Sequence, residues 1–246
     1  MTAASNRSAL SAQTEMFEHR VVGETLVVSF LRPVQILSWA ILNGGFRSRV
    51  AHFINHRVKT CSPGGIAPET CLRQVGTQLG LKGTVVGMMT AADIQRYSFS
   101  SASYGDLRAY GLATAGCSNL ATVGQDGSFL EGKDQLRQVG TINLIVATNY
   151  SFTHEAMLEA VAIATEAKVK TLYELGLRST TTGQLATGTG TDCVAVAVAS
   201  ERRYRFCGKH TKWGELIGRA CLETLRDALR GATAVDSMES EGGTNE

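Results

Sequence analysis

Between Gln184 and Gly218 three unlike parts stand in line: a Gly/Thr loop that closes on an acid (QLATGTGTD), an unbroken apolar run (CVAVAVA), and a charged turn (GKHTK) that opens a helix beginning WGELIG. An apolar run of that length, bounded by turn residues, reads as a buried strand over 193–199. A buried strand needs neighbours, so the chain must supply a sheet. A purely structural chain has little use for a hydroxyl-rich Gly loop on one side of such a strand and a Lys-His pair on the other.

The neighbours can be read off in order. Residues 24–31 and 34–42 are two β-rich runs joined by Arg32-Pro33, where the proline limits pairing. Asn43-Gly44-Gly45 is a strong turn signal. Residues 46–58 carry apolar side chains at 46, 50, 53, 54 and 58, which predicts a short basic helix. Residues 60–68 read as a loop, with Pro68 suited to the first turn of a helix over 69–79 that stops at Gly80. Strands follow at 83–89, 107–113 and 141–147, with a short aromatic segment at 96–104 and a polar excursion at 124–138. The strongest helix is 153–175, with Met157, Val161, Ala164, Leu172 and Leu175 as its stripe, Thr153 as N-cap and Gly176 as stop. A second strong helix covers 212–230.

No helix separates the strands at 107–113 and 141–147. That favours an α/β (α+β) fold, a mixed β-sheet of about six strands with helices packed on it, over a doubly wound parallel sheet. The expected organisation is a flexible tail at 1–14, a single domain over 15–231 and a disordered polar tail at 232–246. With 43% hydrophobic residues among 246, a sizeable core is within reach.

Several chemistries are excluded. The 24 basic and 22 acidic residues leave a net charge of +2, so no basic field marks a nucleic-acid binder. The six cysteines contain no CxxC pair, and His52 and His56 lack partners for a zinc site; reduced thiols, a cytoplasmic location and no metal are expected. No apolar run reaches a membrane span, and the N-terminus lacks a signal-peptide core. A phosphate loop needs strand, Gly loop, then helix, whereas here the loop precedes a strand. No GxSxG or Cys-His signature specifies a nucleophile.

What remains is a set of polar residues, each with a bland and a functional reading. The loop residues Thr187, Gly188, Thr189 and Gly190 form either a tight turn or a ligand-contacting loop. Asp192 is a cap acid or an acid aimed into a site. Lys168 falls within the apolar stripe of its helix; it either snorkels at the edge or faces a pocket, paired with an acid or a ligand oxygen. Periodicity puts Glu166 on another face, as a solvated charge pairing with Lys170. His210, beside Lys209 and before the N-cap Thr211, is a surface turn residue or a neutral base disfavoured from charging by the helix dipole. Gly214 and Gly218 leave a bare helix face that something must approach. Asn43, Asn119 and Asn143 sit at apparent strand ends, where they can converge as amide donors and acceptors.

Taken together, NGG (43–45), VGMMTAAD (86–93), GTIN (140–143), TEAK (165–168), ATGTGTD (186–192) and GKHTKWGELIG (208–218) resemble the adenosylcobinamide amidohydrolase family, in order, over residues 20–230. The resemblance implies an enzyme of corrinoid salvage that hydrolyses the amide between the aminopropanol arm and the corrin ring, giving adenosylcobyric acid for coenzyme B12 synthesis. Its partner is the small-molecule substrate adenosylcobinamide, which brings its own cobalt, so no protein cofactor is implied; homo-oligomerisation is left open. The rival class is a non-catalytic corrinoid carrier or sensor. On this reading His210 is general base and acid, oriented by Asp192 or Glu166, with Lys168 or the 188–190 amides holding the oxyanion. The nucleophile is Thr189 or a water, with water favoured. Asn43, Gly44, Thr90, Asn119, Asn143, the 187–190 loop, Lys209 and Trp213 are expected to contact substrate, and the ring face to rest on Gly214/Gly218. Where the family pattern has small residues or Leu, this chain has Trp39 and Trp213, read as packing variants.

Overall fold

The computed structural model describes residues 11–58, 65–127, 140–199 and 203–241. Cys61 and most of the expected polar excursion at 124–138 lie outside them.

The apolar run over 193–199 becomes β12 (Cys193–Val198), buried along its whole length. It pairs in parallel with β9 (Ile142–Thr148) on one edge and antiparallel with the end of β3 (Thr25–Ser38) on the other. From β9 the sheet continues through β7 (Leu107–Ala115) to β6 (Ser98–Tyr104), both antiparallel, as expected where no helix intervenes. On the far side β3 pairs with β2 (Phe17–Val22) and β4 (Gly45–Arg57), and β4 pairs in parallel with β5 (Thr84–Thr90). With β1 (Ser11–Gln13) on β2, this makes a nine-stranded mixed sheet.

The two runs either side of Arg32-Pro33 are one 14-residue strand, with its register interrupted between Ser29 and Val34. The proline lacks an N–H, so the break falls where it sits. The first half of β3 pairs with β2 and the second half with β12, so the sheet curls over itself. Ile145, Ala147, Ala195 and Ala197 then meet Val28, Phe30, Phe53 and Met88 in one core layer. On the opposite face of β9 and β12, Leu144, Val146, Val194 and Val196 pack on α2 (His154–Glu174) and α3 (Lys212–Glu241). Helix α1 (Pro68–Gln78) covers the outer face of β3 and β4 through Leu72, Val27 and Ile54. Strand alternation therefore serves two cores at once.

Three expectations are corrected. Residues 11–13, placed in a flexible tail over 1–14, are strand β1, held by its ladder to β2. Residues 46–58 form strand β4, not a helix; apolar residues at 46, 50, 53, 54 and 58 fit a helical stripe, but ladders to β3 and β5 on both edges decide the conformation. Helix α3 does not stop near 230 but runs to Glu241, into the stretch read as a tail. The caps hold as expected: Thr153 accepts from the Ala156 N–H, Thr211 from the Gly214 N–H, and Gly80 and Gly176 take positive φ after α1 and α2. Among the described residues no helix is long and apolar enough to cross a membrane.

Candidate active site

Asp192 stands immediately before β12, and its neighbour β9 begins at Ile142. Parallel pairing of the two strands brings the Ile142 N–H to Asp192 Oδ1 at 3.1 Å. The preceding loop turns back on the same carboxylate: the Thr189 N–H donates to Oδ2 at 3.0 Å and its hydroxyl to Oδ1 at 2.6 Å. Lys168, projecting from the buried face of α2, donates to Oδ2 in a close ion pair. The two side chains are only 10% and 8% exposed. Lys168 is thus neither snorkelling nor stray; it is the counter-charge of Asp192.

The loop is fixed by its own ribbon. β11 (Gly188–Thr189) pairs antiparallel with β8 (Leu120–Ala121), and the Thr187 hydroxyl accepts from the Val123 N–H at 2.8 Å. A Cβ on Gly188 would lie 2.2 Å from Asp192 Oδ2 and 2.8 Å from Lys168 Nζ. Only glycine lets the loop pass over the ion pair. Thr191 extends the network, donating to the Gly140 carbonyl and sharing a 2.6 Å hydrogen bond with Thr141. The result is a cleft of about 320 Å³ lined by Thr122, Val123, Lys168, Thr187, Thr189 and Asp192.

The other expected residues divide. Asn119 is buried beside the loop; a Cβ on Gly140 would meet its Oδ1 at 2.3 Å, and one on Gly190 would lie 3.6 Å from its Nδ2. Asn143 does not face the cleft. Its amide donates to Asn55 Oδ1 and the Met89 carbonyl, and Asn55 donates to Thr114, a buried polar tie between the two halves of the curled sheet. Thr90 is buried and accepts from the Ala92 N–H. Asn43 and Gly44 form the β3–β4 turn, with Asn43 donating to the Val85 carbonyl. Residues 91–93, the end of the VGMMTAAD segment, line a separate cleft of about 260 Å³ with Arg57, Arg96 and Ser118.

Glu166 is solvated, as periodicity required, but its partner is Lys209, at 2.7 Å, while Lys170 pairs with Glu174. Lys209 and His210 are exposed in the turn before α3, and no hydrogen bond or ion pair joins His210 to Asp192 or Lys168. Glu166 and Lys168 leave α2 about 200° apart, which is why one meets this turn and the other the buried acid. Trp213 is buried at 2% exposure, packed edge-on against Phe152, Tyr150 and Tyr204, so it is a core residue and does not line the cleft. The Gly214/Gly218 face is also closed. A Cβ on Gly214 would lie 2.3 Å from the Gly208 carbonyl, and Gly218 faces Ile163 of α2.

Two features escaped the sequence reading. Asn55 sits in a segment read as helix, which hid its partnership with Asn143. Trp39 is half exposed, and its indole N–H donates to the Asp192 carbonyl at 2.7 Å. Burial pushes the Cys193 thiol up to about 12, so the cysteine beside Asp192 is no thiolate nucleophile.

The chain matches the model of one family, described as adenosylcobinamide amidohydrolase, over residues 7–237. It is 30% identical over 171 residues to an uncharacterized protein of Methanocaldococcus jannaschii, covering 63% of this chain and 67% of that one. It is 27% identical over 199 residues to an adenosylcobinamide amidohydrolase of Methanosarcina mazei, covering 76% and 86%. A crystal structure of a Pyrococcus horikoshii protein overlaps 91% of this chain and 82% of its own with a TM-score of 0.42 at 12% identity, too low to carry an argument.

Proposed function

This chain belongs to the adenosylcobinamide amidohydrolase family, and from that premise we propose that it cleaves the amide joining the aminopropanol arm to the corrin ring, releasing 1-amino-2-propanol and adenosylcobyric acid for corrinoid salvage. The observation that carries the chemistry is the Thr189 hydroxyl held 2.6 Å from an aspartate that is itself paired with a buried lysine, at the floor of a cleft.

Amide hydrolysis needs a nucleophile, a base for its proton, a cation for the oxyanion and a proton for the leaving amine. Thr189 is the nucleophile. Its oxygen adds to the amide carbon while its proton passes to Asp192. The Lys168 ammonium lies beside the same carboxylate and faces the developing oxyanion. Collapse breaks the C–N bond as Asp192 returns the proton to the amine nitrogen. Water then attacks the threonyl ester as Asp192 takes its proton; the acyl carbon–Oγ bond breaks, Asp192 returns the proton to the Thr189 oxygen, and the acid product leaves. A side-chain hydroxyl displaces the free water favoured from sequence because it is already hydrogen-bonded to the base. Glu166, on the exposed side of α2, and His210, in the exposed turn before α3, have no step in this scheme.

The test is release of aminopropanol from adenosylcobinamide by the wild type and by Thr189→Val and Asp192→Asn. Each variant should lose roughly 10³-fold or more in kcat. Wild-type turnover in Thr189→Val would remove the nucleophile role. Corrinoid binding without any amine release from the wild type would make the chain a carrier.

A further inference from the structure

We propose that the Trp39 indole is the platform on which the macrocycle of the substrate lies. The inference rests on the corrinoid reading above. A cleft of about 320 Å³ accommodates an amide and a hydroxypropyl arm. A corrin ring with its peripheral amides is several times larger, so most of it must lie outside the cleft, against the surface beside Asp192. The surface expected for it, Gly214/Gly218, is covered by the chain's own turn and by α2.

Trp39 answers that need by position and by construction. It follows Ser38, which pairs with Ala195 of β12, so the ring stands next to the strand that Asp192 opens. Its N–H is bonded to the Asp192 carbonyl while half of its surface stays exposed. A rigid aromatic face of this kind gives a large contact area at little entropic cost, because its two torsions are already set. The other exposed aromatic rings are placed differently: Tyr104 lies under the Lys212 ammonium, Phe206 lies beside the Arg205 guanidinium, and Tyr173 stands on the last turn of α2. The remaining tryptophan is buried. Trp39 is then a binding residue for the ring, and the pairing of Ser38 with β12 keeps the ring face beside the strand that Asp192 opens.

The experiment compares wild type, Trp39→Ala and Trp39→Phe by steady-state cleavage of adenosylcobinamide, and by equilibrium dialysis of cobyric acid, which has the ring without the arm. Expected for Trp39→Ala are a KM and a cobyric acid Kd raised roughly tenfold or more with kcat within about threefold, since the lost contact is uniform binding. Trp39→Phe keeps a ring face and should stay within about threefold of wild type in both. Unchanged KM and Kd in Trp39→Ala would overturn the platform, as would a fall in kcat alone, which would mean that Trp39 only props Asp192. Phe as defective as Ala would also overturn it, since the N–H and not the ring face would matter. If Trp39→Ala does not fold, Trp39→Phe carries the test against the same threefold limit. Failure of the wild type to release amine would sink the corrinoid hydrolase reading instead. The dialysis comparison judges Trp39 independently of that result.

Discussion

Gly188→Ala attacks the Lys168–Asp192 pair without altering either residue. The new methyl carbon would stand 2.2 Å from Asp192 Oδ2 and 2.8 Å from Lys168 Nζ, roughly 1.3 Å short of an ordinary contact of about 3.5 Å with the carboxylate. The backbone at 188 is tied to Ala121 through the β8–β11 ribbon, and Lys168 is buried in α2. The carboxylate therefore has to give way, and with it the bonds from Thr189 and Ile142. Overpacking of this kind costs about 1–3 kcal/mol, a fall in Tm of roughly 2–12 °C for a chain of this size. Displacing a base by about 1 Å costs on the order of 10²-fold in turnover. The control for stability is Gly190→Ala, two residues on, where the nearest atom to the new carbon is 3.6 Å away; it should stay within about 0.5 kcal/mol. Thermal melts read both variants, and aminopropanol release reads Gly188→Ala. Gly188→Ala with wild-type Tm and turnover would refute the reasoning, and so would an equal fall in Tm from Gly190→Ala.

Lys168→Met leaves a buried carboxylate without its counter-charge and should cost about 3–5 kcal/mol in denaturant melts, whereas Lys209→Met in the exposed pair with Glu166 should cost no more than about 1 kcal/mol. His210→Ala should keep kcat/KM within about threefold; a loss above roughly 10²-fold would return the base role to His210. His19 is buried with Nε2 unpartnered, and burial lowers its pKa. Its folded pKa lies below its unfolded one, so its stability contribution is present above the unfolded value near 6.5 and is lost as pH falls through the folded value. Tm should therefore drop on acidification below about pH 6.5, and the drop should be shallower in His19→Gln. Burial pushes the thiols of Cys193, Cys207 and Cys221 up to about 12. Their contribution is complete below the ordinary thiol value of about 8.5 and declines as pH rises from there towards 12. At pH 8, among the cysteines of the described residues, a thiol reagent should reach the partly exposed Cys71 before these three, which should react only on unfolding.

How much of this was legible in the chain depends on how local the deciding interaction is. Thr153, Thr211, Gly80 and Gly176 act within one turn of their helices, and their types announced them. Lys168 was visible as a lysine in an apolar stripe, because 3.6-residue periodicity needs no partner to be read. The identity of its partner was not visible, since it depends on β12 lying beside β9 and beneath α2. Glu166 shows the same division: periodicity placed it in solvent correctly, but the cation that meets it, Lys209, lies 43 residues away and not four. Residues 46–58 failed for the opposite reason. Their local pattern fits a helix, and two non-local ladders override it. Asn143 and Trp213 were read as ligand contacts from their neighbours in sequence, yet each is claimed by partners distant in the chain.

The Gly/Thr loop itself looks different once its hydrogen bonds are traced. A phosphate loop aims its backbone N–H groups outward at an anion brought by the ligand. Here the Thr189 and Ile142 N–H groups point at Asp192. The anion is built into the chain, and the glycine at 188 exists to let backbone pass over it. A loop of this kind has no charge left to hold a phosphate. It has instead a carboxylate fixed by two backbone donors, balanced by a buried lysine and bonded to one hydroxyl at the cleft. Fixing the carboxylate costs it rotational freedom before any substrate arrives, so in the proposed scheme the proton path from Thr189 is set in advance of binding. That arrangement suits proton transfer during acyl chemistry, and it explains why the loop precedes a strand: only a strand start beside β9 places the aspartate where a neighbouring backbone can hold it.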